Sequence, residues 1–265
     1  MDEVRAAVAV IGGSGLYSLL DDQDPVTVEI DTPYGDPSSP ITIAAIGGVR
    51  VAFLARHGLA HELPPHRVPY LANAWALHSL GVRRVLAPCA VGSLRPEIGP
   101  GVLVVPDQVV DWTHSRTQTF HDSFDQGPLH AEFADPYCPD VRRAALDAAD
   151  DQGWAAVDGG TMVVIDGPRF STRAESQFFA AQGWLLVNMT GHPEAVLARE
   201  LGLCYSPLAL VTDLDAGVSA GEGVSATVVM AEFARSTDRM RTVLLDAVTR
   251  LPSGACPHCP APAQP

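Results

Sequence analysis

The chain has 265 residues, 47% apolar and 18% charged, enough to bury one large α/β core or two small ones and far from the composition of a disordered segment. Every cation is an arginine: 17 Arg and no Lys stand against 31 acidic residues, for a net charge of −14. That removes a Walker-A lysine, a pyridoxal-phosphate Schiff base, a lysine nucleophile and a Ser–Lys dyad, and it makes nucleic acid and anionic membrane surfaces poor partners.

Runs rich in Val, Ile and Leu at 6–11, 26–30, 41–46, 50–55, 85–87, 102–105, 162–165, 185–187 and 208–212 predict strands. They are mostly continuous rather than alternating, which suits a sheet covered on both faces. Gly47-Gly48 between two of them predicts a tight hairpin turn. Helical periodicity marks 69–80, 140–151, 172–182, 193–201 and 226–250, with Pro69 and Pro193 in first turns and Gly81, Gly153, Gly183 and Gly202 as stop signals. Strands alternating with helices predict an α/β fold: a single domain over 1–251 with a mixed, largely twisted β-sheet flanked by helices. Residues 252–265 change to Pro, Ala, Ser and Gly and read as a flexible tail.

No apolar stretch approaches the ~18 residues of a spanning helix, and the acidic start with Gly12-Gly13-Ser14-Gly15 soon after argues against a leader peptide. Five Cys, odd and sparse, are not a disulfide framework, so a reducing cytoplasm is the expected compartment. Cys256-Pro257-His258-Cys259 is a lone C-x-x-C without a second pair, and His61, His66, His114, His121, His130 and His192 show among themselves no H-x-x-x-H or H-E-x-x-H spacing, so no metal site is expected.

The strand ends carry the chemistry. After the runs at 6–11, 50–55, 85–87, 185–187 and 208–212 come Gly12-Gly13-Ser14-Gly15, Arg56-His57-Gly58, Cys89-Ala90-Val91-Gly92-Ser93, Asn188-Met189-Thr190-Gly191, and Asp213 with Asp215. Ligands of open α/β sheets bind beyond the carboxyl ends of the strands, so these groups are expected at one site. The first glycine cluster can turn amides toward an anion, although a plain Gly-rich turn reads as well; it matches neither G-x-G-x-x-G nor G-x-S-x-G. Arg56 offers a fork for phosphate or carboxylate, against the alternative of a surface ion pair. Asp213 and Asp215, two apart, point the same way if strand geometry persists. Two such carboxylates cannot both ionise cheaply, and the pair could offer a donor and an acceptor to the N7 and N6 edge of adenine. Against this stands an ordinary turn aspartate beside a solvated one. Phe170 could stack on a base or belong to the core.

These residues, in order, resemble the 5′-methylthioadenosine phosphorylase branch of the trimeric purine nucleoside phosphorylases. The likeness runs from Val8 to about Leu244 and rests on Gly12-Gly13-Ser14-Gly15-Leu16, Thr32-Pro33-Tyr34-Gly35, Arg56-His57-Gly58, Tyr70-x-Ala72-Asn73-x-Trp75, Gly92-Ser93-Leu94-Arg95, Asp166 through Ser176, Asn188-Met189-Thr190 and Thr212-Asp213-Leu214-Asp215. The resemblance implies phosphorolysis of the N-glycosidic bond, with inorganic phosphate as co-substrate and no metal or organic cofactor. It implies that Ser14, Arg56, His57, Ala90 and Thr190 hold phosphate and that Met189 packs on the ribose. Phe170, Ser171, Asn188, Asp213 and Asp215 would surround the base, with the two aspartates as the catalytic pair. His130 would be lent by a neighbouring subunit of a homotrimer to the 5′ end. Asp213, where 6-oxopurine relatives carry Asn, implies a 6-aminopurine, and the small apolar stretch 221–228 suits a 5′-methylthio group.

Two positions depart from the family pattern: Cys89 replaces a Thr that donates to phosphate, and Gly191-His192 replaces two less polar residues. The alternatives are a purine nucleoside phosphorylase of broader 5′ tolerance, a nucleoside-binding module without catalysis, and a nicotinamide-dependent oxidoreductase, the last opposed by the missing third glycine.

Overall fold

The computed structural model describes residues 5–13, 16, 19–20, 24–123, 125, 127–218 and 223–259. In chain order the elements are β1 (Val8–Gly12), β2 (Val26–Val28), β3 (Ile41–Ile46), β4 (Val49–Ala55), a single 3-10 turn (Pro65–Arg67), α1 (Tyr70–Ser79), β5 (Arg84–Ser93), β6 (Leu103–Val105), β7 (Gln108–Trp112), α2 (Pro139–Asp151), β8 (Ala156–Asp158), β9 (Thr161–Ile165), α3 (Arg173–Ala181), β10 (Leu186–Asn188), α4 (Gly191–Glu200), β11 (Cys204–Leu214) and α5 (Ala226–Arg250).

Among the described residues the strands form one mixed sheet, with the path β2-β3-β4-β1-β5-β10-β9-β7 and a branch from β5 through β11 and β6 to β8. β4, β1, β5 and β11 run parallel, so their carboxyl ends share one edge. The branch arises because β5 is long: its first half pairs with β1, its last two residues pair antiparallel with β10, and β11 runs beside its whole length.

Strand pleating divides the core. Val8 and Val10 of β1 join Leu208 and Leu210 of β11 on the face covered by α2 and α5, whereas Ala9, Ile11, Ala209 and Val211 face α1 and α4. Both faces are therefore apolar, as continuous Val/Ile/Leu runs require when helices cover a sheet twice. α5 lays Phe233, Met240, Val243, Leu244, Ala247 and Val248 on the first face at helical spacing. Gly47 and Gly48, at φ 54° and 82°, make the β3–β4 hairpin turn, a conformation that favours residues without a Cβ.

Each predicted run lies on a strand, and two further strands, β7 and β8, appear. β7 (Gln108-Val109-Val110-Asp111-Trp112) has only two consecutive aliphatic residues and β8 has three residues in all, so neither carries a periodic signal. The largest difference lies in β5 and β11, which extend well past 85–87 and 208–212. Pro88 and Pro207 interrupt those runs in the sequence, yet both sit inside paired strands. Helices fall where periodicity placed them; α4 contains a non-helical His192 (φ −125°, ψ 131°), so its regular part begins at Pro193. Residues 252–259, expected to be a flexible tail, instead lie along the body: Arg84 Nη2 donates to Gly254 O at 2.5 Å, and Cys256 and Cys259 pack against the core. No helix among the described residues is long and apolar enough to cross a membrane.

Leu210 is fully buried on β11. Leu210→Ala should lower the unfolding free energy by about 2–5 kcal/mol, read as a lower urea midpoint at unchanged slope; a change below the error of the midpoint would mean that the sheet face is not packed as described.

Candidate active site

The shared carboxyl edge opens into a cavity of about 430 Å³. Its walls include Arg56 and His57 after β4, Cys89–Gly92 of β5, Phe170 and Ser171 before α3, Asn188–Thr190 after β10, Asp213 and Asp215 of the β11 end, and Val229, Met230 and Phe233 of α5. All the predicted site residues that the structure describes meet there except His130, which lies in the exposed segment between β7 and α2 and does not line its own chain's cavity. Ser14 is outside the described residues; Gly13 beside it lines the cavity, and a Cβ there would stand 3.8 Å from Arg56 Nη1.

One end of the cavity is built on a buried ion pair. Arg56 Nε and Nη2 donate to Glu194 Oε1 (2.5 Å) and Oε2 (3.1 Å), Nη1 donates to Pro88 O (3.0 Å), and Tyr205 Oη donates to Glu194 Oε2 (2.8 Å). The guanidinium is only 2% exposed. Burial opposes its charge, and Glu194 outweighs that cost, so it remains a cation. Of its five N–H groups three are spent, leaving two for a ligand. Cys89 beside it is pushed by burial up to about 12, hence a neutral thiol that adds no negative charge at this end.

His57 next to it is neutral. Burial first, and the Arg56 charge second, lower it to about 4. Its Nδ1 lies 2.8 Å from Leu63 O, and a carbonyl only accepts, so the proton sits on Nδ1 and Nε2 is left as an acceptor.

The opposite end holds the two carboxylates. A register shift between Val211 and Asp213 bulges β11 at Thr212 and sets Asp213 opposite Gly92. A Cβ on Gly92 would stand 3.2 Å from Asp213 Oδ1 and 3.3 Å from Asp215 Oδ1, so both side chains converge over the space that this glycine leaves open. Asp215 lies just past the strand, its amide on Ser93 O (2.9 Å) and its Oδ2 2.5 Å from Ser176 Oγ. Desolvation raises both acids: Asp213 reaches about 6 despite the Thr212 hydroxyl and with help from Asp215, and Asp215 rises against the hydrogen bond of Ser176. Asp213 Oδ1 is buried without a hydrogen-bond partner among the described residues, an arrangement that native proteins keep for a ligand or a task.

Between the two ends, Asn188 lines the cavity while much of its side-chain amide is engaged by backbone. Its Oδ1 accepts from the Thr190 and Gly191 amides (2.8 and 2.6 Å) and its Nδ2 donates to Ala90 O (3.1 Å). It therefore fastens β10 to β5 and takes up the Thr190 amide, while the Thr190 hydroxyl reaches the same Oδ1 only at 3.4 Å. His192, a departure from the family pattern, turns away: its Nε2 meets Gln118 Oε1 at 3.1 Å, and it does not line the cavity.

Several supports carried no sequence signal. Arg116 donates to Met189 O and Asp166 O (2.8 Å each) and lies 5.1 Å from the Tyr70 ring centroid, while Tyr70 Oη holds Pro65 O at 2.7 Å. Glu194, Tyr205, Arg116 and Ser176 are each distant in sequence from the group they position. Only the Thr172–Glu175 capping box, which anchors Phe170 and Ser171 ahead of α3, was readable in the spacing.

A family model described as the phosphorylase superfamily matches residues 7–250. A purine nucleoside phosphorylase from Streptomyces coelicolor is 56% identical, covering 99% of this chain and 95% of the relative. An S-methyl-5'-thioadenosine phosphorylase from Mycolicibacterium smegmatis is also 56% identical, over 95% of this chain and 94% of that one. Among solved structures, methylthioadenosine phosphorylase from Schistosoma mansoni in complex with adenine superimposes with a TM-score of 0.87 at 37% identity, covering 92% of this chain and 91% of that chain.

Two variants check the electrostatics. Glu194→Ala leaves Arg56 buried and uncompensated, and should cost about 3–5 kcal/mol of stability by chemical unfolding. For Asp213 the folded value is raised, so native protonation stabilises fully below the unfolded value of 3.8 and that stability is lost as pH rises through about 6. Asp213→Asn should therefore be more stable than the parent at pH 8, with the gain vanishing toward pH 4; a pH-independent difference would contradict a raised Asp213.

Proposed function

The chain belongs to the phosphorylase superfamily, and on that footing we propose that it cleaves 5′-methylthioadenosine with inorganic phosphate to adenine and 5-methylthioribose 1-phosphate. One observation carries the reading: a buried carboxyl, raised to about 6, presents an unpartnered oxygen into the cavity over Gly92. A phosphate site needs a cation and a base site needs a neutral acid, and the cavity has one of each at opposite ends.

Phosphate sits in this reading on the two remaining Arg56 N–H groups, the Thr190 hydroxyl, Ser14 and the Ala90 backbone. Phosphate arriving with a proton donates a hydrogen bond through it to His57 Nε2, which an imidazolium could not accept. Met189 packs on the ribose, Phe170 lies against the base, and Ser171 and Asp215 flank Asp213. As the bond from C1′ to N9 breaks, its electron pair goes to the purine, and protonated Asp213 hydrogen-bonds or protonates N7. The phosphate oxygen then bonds to C1′ of the oxocarbenium-like sugar. The sugar 1-phosphate releases its proton to solvent and Asp213 regains one from solvent, so that overall one proton moves from phosphate to adenine.

Val229, Met230 and Phe233 give the cavity an apolar wall on α5, which suits a 5′-methylthio group better than a hydroxyl. In the proposed homotrimer His130 of a neighbouring copy completes that end. The name of the Streptomyces relative favours a second reading, a purine nucleoside phosphorylase tolerant of other 5′ groups.

Adenine or hypoxanthine release from 5′-methylthioadenosine, adenosine and inosine, with and without phosphate, separates these. Strictly phosphate-dependent cleavage, fastest on 5′-methylthioadenosine, is expected; equal rates on inosine would favour the second reading, and cleavage without phosphate would make the enzyme a hydrolase. Asp213→Asn should lower kcat/KM on 5′-methylthioadenosine by at least about 100-fold and penalise inosine less. The parent should also lose kcat/KM as pH rises through about 6, a limb the variant lacks.

A further inference from the structure

The lone C-x-x-C of the C-terminal segment acquires a second pair in the fold. Cys138 caps α2 and Cys204 opens β11, and the four sulfurs of Cys138, Cys204, Cys256 and Cys259 all lie within 4.8 Å of one another. Cys138 Sγ is 3.7 Å from Cys256 Sγ, and all five cysteines of the chain are free. Tetrahedral zinc with Zn–S of about 2.3 Å spaces its sulfurs about 3.8 Å apart, whereas a disulfide brings them to about 2.05 Å. We propose that Cys138, Cys204, Cys256 and Cys259 form a closed, structural zinc site that clamps the C-terminal segment to the base of the sheet.

The surroundings suit a zinc–tetrathiolate group of net charge −2. Cys138 stands at the N-terminus of α2, and the Val141 amide hydrogen-bonds its sulfur. Arg84 is the register partner of Cys204 on β5; it is buried, its Nε has no partner among the described residues, and its Nη2 holds Gly254 O two residues before Cys256. This cation and the helix dipole offset the negative cluster. The Cys256 thiol donates to Asp140 Oδ2 at 3.5 Å, and His258 Nε2 comes within 3.7 Å of Asp140 Oδ1, which ties the C-terminal segment to the start of α2. Two ligands are buried and two half-buried, which leaves no open coordination position for chemistry and marks the site as structural. It lies at the start of β11, about 30 Å along the strand from the carboxylates at its end.

The test uses the full chain, reduced, offered zinc and then freed of loose ions, with metal measured by mass spectrometry. About one zinc per chain is expected, and cobalt in its place should give thiolate-to-metal charge-transfer absorption with tetrahedral d–d bands. Cys256→Ser with Cys259→Ser should abolish binding and lower the thermal midpoint by more than about 5 °C. If that variant does not fold, the cobalt spectrum of the parent decides alone. Substoichiometric zinc, cobalt bands without thiolate character, full alkylation of all four thiols in the presence of zinc, or disulfides among them in the protein as purified would each overturn the site.

Discussion

The parallel pairing of β5 with β11, from Cys204 beside Arg84 to Leu214 beside Ser93, organises both ends of the molecule. The two longest strands run side by side through the centre of the sheet, with helices over each face. At the carboxyl end a single extra residue, Thr212, shifts the register, and that shift brings the Asp213 and Asp215 carboxylates over Gly92. At the amino end the same pairing puts buried Arg84 beside Cys204, one of the four clustered cysteines. A slip of one residue would turn every side chain of β11 to the opposite face and dissolve both sites.

The cavity sets a buried cation and a raised carboxyl at opposite ends. Arg56 is charged because Glu194 is buried with it, and the pair together is close to neutral, so the electrostatic preference for an anion rests on the two N–H groups that Glu194 and Pro88 do not occupy. Asp213 is raised to about 6 because burial outweighs the Thr212 hydrogen bond, with the Asp215 carboxyl adding to the rise. Exchanging these environments would leave an unprotonated acid at the leaving base and a weakened anion site. The mechanism thus follows from where the sheet buries each group, more than from the identity of any one residue.

Much of this was legible in the sequence, for identifiable reasons. Apolar runs ending in glycine or charged residues marked the strand ends, and the rule that parallel strands present ligands at their carboxyl ends collected Arg56, Asn188, Asp213 and Asp215 at one place. The resemblance to the nucleoside phosphorylases then assigned roles. What stayed hidden depends on tertiary contact. Glu194 is surface-like in sequence and buried in the fold; Arg116 reaches four backbone carbonyls, those of Ile165, Asp166, Met189 and His192; Pro88 and Pro207 masked the true length of β5 and β11. Asn188 has the right chemistry for a base and spends it on backbone. The cysteines are the clearest case, since no local spacing links Cys138 and Cys204 to the C-x-x-C that the fold places against them.

The most direct test of the account is the protonation state of Asp213 with ligands in place. Carbon-13 resonance of its labelled carboxyl, assigned by comparison with Asp213→Asn, can be followed against pH with adenine and phosphate bound. A carboxyl that remains protonated through pH 7 in this complex is the predicted result. A resonance already at the ionised position at pH 7, with adenine demonstrably bound, would contradict a neutral acid at the leaving base and with it the central claim.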